Sequence, residues 1–176
     1  MDCALKDLLS ARRAKICEVW LDRTLAVYSD EYGRFVKANR DPFANPVGAI
    51  LKEGLEGLFG ALLEDAGAEA YRAALAPIAR VRAVQEAPPS KALSFVAQLK
   101  DVVREVLSGE LRAEKVREGL SVLEARIDAA MLAAFDAYAD CRERIFQLRV
   151  NELKRNTAQL LKRSGATAAL DEAGPP

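Results

Sequence analysis

Histidine is absent from all 176 residues. Its absence removes His-based catalytic triads, Cys/His zinc sites, His-ligated haem and the usual general base near neutral pH. Cysteine is scarce: Cys3, Cys17 and Cys141 stand far apart, odd in number and without a CxxC spacing. That pattern fits a reduced, intracellular chain better than a secreted disulfide framework. Net charge is also missing, since 26 basic residues balance 26 acidic ones, whereas a non-specific nucleic-acid binder carries a strong basic excess. No signal peptide is read, because Lys6, Arg12 and Arg13 interrupt the N-terminal stretch. Apolar runs such as 57–63 fall far short of the ~20 residues a membrane span needs. A soluble cytoplasmic domain is expected, with no nucleic-acid partner and no membrane span.

What is present is helical periodicity. Leu5, Leu8, Leu9, Ile16, Val19, Trp20 and Val27 recur at spacings of three, four and seven, which predicts one amphipathic helix over 2–28. A polar stretch follows over 29–45, read as a loop with a short turn around 32–38. Asn45-Pro46 is a helix start: asparagine accepts a first-turn N–H, and proline at the first helical position gives up no needed donor. Val47, Ile50, Leu51, Leu55, Leu58 and Leu62 then line one face. Tyr71, Leu75, Ile78 and Val81 continue the pattern, with Pro77 expected to kink or divide it. Pro88-Pro89 breaks the chain, Ser90 reads as the next cap, and Ser108-Gly109 ends the helix that Leu93, Val96, Leu99 and Val103 line.

The last helix is expected over 120–163, with Gly119 a weak point before it. It would be ~66 Å long, against a diameter of ~40 Å for a compact chain of this size. It must therefore kink or extend beyond the globule. Ile127, Ala134, Cys141 and Leu148 repeat every seven residues, with Met131, Tyr138 and Ile145 on the adjoining row. A homodimer built on this helix is expected, although the same face could pack inside one globule. Residues 1–163 are read as one domain and 164–176 as a disordered tail.

Chemical motifs are sparse. Gly54, Gly57 and Gly60 sit inside a helix with no GKS or GKT after them, so they read as a close helix approach rather than a phosphate loop. Glu64-Asp65 and Asp136/Asp140 supply too few ligands for a cation site. From Arg142 to Arg163 seven basic residues face two acidic ones, which suits an acidic partner, an anionic surface, or merely a helix C-terminus. No serine, threonine or cysteine has a histidine to activate it, and the chain reads as a non-enzyme. No cofactor or metal is expected; Cys17, Cys141 and Tyr138 are the remaining groups that could hold a haem.

Several segments taken in order carry a resemblance. They are Trp20, Asp41-Pro42-Phe43-Ala44-Asn45-Pro46-Val47-Gly48, Arg80-Val81-Arg82-Ala83-Val84-Gln85, and Pro89-Ser90-Lys91-Ala92-Leu93-Ser94-Phe95-Val96 with Lys100. Arg126-Ile127-Asp128 and Phe135-Asp136-Ala137-Tyr138 complete the set. Together they resemble the N-terminal sensor domain of RsbT co-antagonist proteins of the RsbRD, stressosome type, over about residues 5–150. The resemblance implies an all-α, globin-like bundle that holds no haem, dimerises and receives a signal. Full co-antagonists continue into a STAS output domain, which this sequence does not contain, so the output is expected from a separate signalling protein or from the helix itself.

Three groups of residues are candidates on this reading. Arg80, Arg82, Gln85, Arg126 and Asp128 form a candidate polar cluster, because two arginines two residues apart cannot share a helix face and an inward one needs a carboxylate such as Asp128. Trp20, Phe43, Phe95 and Phe135 are candidate linings of a cavity for a small apolar ligand. Ile127, Ala134, Tyr138, Cys141, Ile145 and Leu148 are the candidate dimer face. The competing reading is a ligand-free helical dimerisation or scaffold protein with a solid core.

Overall fold

The computed structural model describes residues 3–26, 44–85 and 87–163. Among them lie six helices and no strand: α1 (Cys3–Ala11), α2 (Arg13–Leu25), α3 (Pro46–Glu64), α4 (Gly67–Val84), α5 (Pro89–Val106) and α6 (Glu114–Arg163). The all-α architecture with a long C-terminal helix is the one the periodicity predicts. The loop at 29–45 with its turn at 32–38 falls, but for residues 44–45, outside the described residues, as does the tail at 164–176. The chain falls into two compact units, Met1–Ala139 and Asp140–Pro176.

In the first unit, α3 packs most extensively on α4, and α2 contacts both α3 and α5. Leu51, Leu55, Leu58, Phe59 and Leu62 on α3 meet Tyr71, Leu75 and Ile78 of α4 in the core, all buried. Each such side chain contributes ~1.5–3 kcal/mol by leaving water. The α3–α4 approach is close at Gly54, where an added Cβ would lie 2.7 Å from Ile78 Cδ1 and 3.0 Å from the Ala74 carbonyl oxygen. Asn45 caps α3, accepting a hydrogen bond from the Gly48 N–H at 3.0 Å, with Pro46 at the first helical position.

Four local expectations change. The first helix is divided at Arg12, whose ψ of 4° leaves the helical region and whose side chain reaches Glu110 at 3.0 Å. Pro77 lies inside an undivided α4. Ser90 is no cap: Pro88 takes that place with φ −55° and ψ 141°. A residue before proline is driven into this extended region, and Pro89 then starts α5 with its φ already set. Gly119 lies inside α6, which begins at Glu114. There a Cβ would meet Leu5 Cδ2 at 2.8 Å, so this glycine lets α1 and α6 approach.

In the second unit, the described residues continue α6 from Asp140 to Arg163, and no side chain among residues 140–162 is fully buried. Local bonds hold the side chains here, such as Gln147 Nε2 donating to Glu143 Oε1 at 2.7 Å.

Candidate functional site

The five residues of the candidate polar cluster do not converge. Arg82 is buried at 3% exposure and donates to the Thr24 carbonyl oxygen at 3.3 Å, while Arg80 and Gln85 are exposed. Asp128 receives Lys100 Nζ at 2.6 Å, not Arg82. Residues two apart on a helix point some 200° apart, so Arg126 and Asp128 face different neighbours.

Arg126 takes partners that no local pattern announces. It reaches from α6 to the C-terminal end of α3, donating to the Leu62 and Leu63 carbonyl oxygens at 2.8 and 3.4 Å. Its second terminal nitrogen binds Asp65 Oδ2 at 2.9 Å. Asp65 closes α3 in the left-handed region at φ 54°. A guanidinium here satisfies carbonyls that the helix leaves unpaired and lies at the negative end of its dipole. Its neighbour Tyr71 has its phenol pKa raised, chiefly by burial and by Asp65, against the lowering effect of Arg126.

The aromatic set is also divided. Trp20 and Phe95 are buried together with ring centroids 6.4 Å apart, and the Trp20 indole N–H donates to the Phe95 carbonyl oxygen at 2.6 Å. They pin α2 to α5 by filling space between them. Phe135 is 52% exposed on α6 and lines no cavity with them. It shares a helix with core residues but points away from the core. Phe43 lies outside the described residues.

A half-open groove of about 920 Å³ runs instead along α1, α2 and α3, with Cys17, Leu21 and Leu55 beside Arg13, Lys52 and Glu56. Arg13 donates to the Glu56 carbonyl oxygen at 2.9 Å. Burial pushes the Cys17 thiol pKa up from 9.0 to about 11, with Glu56 adding to the rise and Arg13 opposing it. This thiol stays protonated at neutral pH, which leaves it without nucleophilic character.

The candidate dimer row changes surroundings along its length. Ile127, Ala134 and Tyr138 are buried in the core of the first unit, and the Tyr138 hydroxyl donates to the Ala87 carbonyl oxygen at 2.7 Å. Cys141 and Ile145 are half-buried, while Leu148 is 66% exposed. The first three residues are thus committed within their own chain. Apart from Leu148, a different face carries the most exposed apolar groups of α6: Leu132 (69% exposed) and Phe135 in the first unit, Phe146, Leu153 and Leu160 in the second. The hydrophobic repeat was visible in the sequence; which of two apolar faces the bundle would cover was not.

No helix among the described residues is long and apolar enough to cross a membrane. No group of three or more residues able to hold a metal ion occurs among them. No curated protein and no solved structure matches this chain. The model of one family does, over residues 14–153, which runs from the first turn of α2 to four-fifths of the way along α6 and includes Arg126, the Trp20–Phe95 pair and both faces of that helix. On that match the chain belongs to the RsbT co-antagonist protein rsbRD N-terminal domain family.

Proposed function

We propose that this chain is a non-enzymatic signal-input domain of stress signalling, cytoplasmic, acting as a homodimer through the exposed face of α6 in the first unit. Family membership over residues 14–153 carries the regulatory reading. The dimer reading is supported by Ala125, Ala129, Leu132 and Phe135, which recur at three- and four-residue spacing, all exposed. Small residues beside large apolar ones let a second helix approach closely. The contact between Trp20 and Phe95 favours a packed core over a cavity for an apolar ligand.

One experiment tests this. Cells lacking the chain, carrying a reporter of the stress response, are complemented with the wild type or with Leu132→Glu, and both proteins are weighed by sedimentation. The wild type is expected at twice the chain mass and to restore the response. Leu132→Glu is expected at the single-chain mass with a defective response. A reporter indifferent to loss of the chain overturns the signalling role, and a monomeric wild type overturns the dimer.

A further inference from the structure

We infer that α6 beyond Arg142 is a docking face for an acidic amphipathic helix of a different protein. Phe146, Val150, Leu153, Thr157 and Leu160 alternate at spacings of four and three, the pattern of a two-helix seam. Phe146, Leu153 and Leu160 are all exposed by more than half, and none of the described residues covers them. Val150 and Thr157 stand at the alternate positions, so the apolar stripe is narrow. A lipid surface calls for a broad apolar face, whereas a narrow stripe suits one partner helix.

The charges beside this seam say which helix. The positions flanking it are Arg142, Gln147, Arg149, Lys154, Asn156 and Leu161, and every charged one is basic. Flanking charges set partner choice in paired helices. A parallel second copy would place Arg149 of one chain against Lys154 of the other along both edges. An antiparallel copy would place Arg149 against Arg149. Like charges so juxtaposed reject that partner. A helix with leucines on its seam and glutamates on its flanks meets Arg142, Arg149 and Lys154 with opposite charge. The self-pairing face proposed in the first unit has no such basic border, because Asp128 and Asp136 lie near Leu132 and Phe135 there.

The full-length protein is titrated into a fluorescent synthetic peptide of four heptads, with leucine at the seam positions and glutamate at the flanks. A scrambled peptide of equal composition and phosphatidylserine-containing vesicles are run beside it. The expected result is binding to the patterned peptide at least tenfold tighter than to the scrambled one. Leu153→Glu should weaken it at least tenfold at unchanged thermal stability, since Leu153 is exposed. Arg149→Glu with Lys154→Glu should transfer the preference to a lysine-flanked peptide. Equal binding of both peptides, no binding, vesicle binding that Leu153→Glu abolishes, or self-association that Leu153→Glu abolishes would each overturn the proposal. Loss of the stress response is read in another assay, so failure here leaves the signal-input reading to its own test.

Discussion

The two stretches of α6 share a sequence style and differ in what they do with it. From Leu120 to Tyr138 the helix has two apolar faces, one formed by Leu123, Ile127, Ala130 and Ala134 inside the core and one formed by Leu132 and Phe135 outside it. From Asp140 to Arg163 it also has apolar groups on more than one side, yet none is fully buried and basic residues dominate the rest. A residue's place in a heptad therefore says nothing by itself about its energetic weight. Ile127 and Leu148 lie on the same sequence row, three heptads apart, at 1% and 66% exposure.

The sharpest way to break this comparison is to truncate both. Ile127→Ala is expected to cost ~3 kcal/mol, as a large-to-small change in a packed core, whereas Leu148→Ala should stay within about ±0.5 kcal/mol as a surface change. Urea unfolding monitored by circular dichroism reads both. Equal costs would mean that the second unit has a core of its own.

A smaller effect separates two ion pairs of the first-unit stretch. Arg126→Ala is expected to cost ~2 kcal/mol, because it strips a charge-assisted bond from the Leu62 carbonyl and leaves Asp65 without its cation. The Lys100–Asp128 pair is two-thirds exposed at its carboxylate, and a double-mutant cycle there should return less than about 1 kcal/mol. A larger coupling at Lys100–Asp128 than at Arg126–Asp65 would reverse the ranking.

The mildest contrast is between two thiols. Cys17, with its pKa near 11, should react with iodoacetamide ~100-fold more slowly at pH 8 than an ordinary thiol, and half-buried Cys141 in the second unit should react before Cys17. The unfolded thiol ionises from 9.0, while the folded one resists ionisation until about 11. Stability from this group is therefore complete below pH 9 and lost as pH rises through that window. Mass spectrometry showing Cys17 labelled first would contradict the burial.

Much of the fold was legible because its signals are local. Asn45-Pro46 starts α3 through contacts made within four residues, and leucines at 51, 55, 58 and 62 mark a buried face wherever that helix docks. The misreadings were local too, and each has a mechanism. Ser90 lost the cap position to Pro88-Pro89, whose rings fix the backbone more strongly than a hydroxyl can. Gly119 looked like a break, yet it is where Leu5 of α1 comes within reach of α6, a neighbour 114 residues away that no local pattern announces.

The functional surfaces divide along the same line. Sequence alone set the helical class through its periodicity, removed histidine chemistry and placed a basic excess at the end of α6, because these depend only on which residues exist and in what order they recur. Tertiary structure decided that Arg126 would crown α3, that Asp128 would take Lys100, and that Trp20 would close on Phe95 while Phe135 stayed in water. It also chose which apolar face of α6 to bury. Periodicity marks a face as apolar, and only the neighbours brought to it from other parts of the chain determine whether it is core or contact surface.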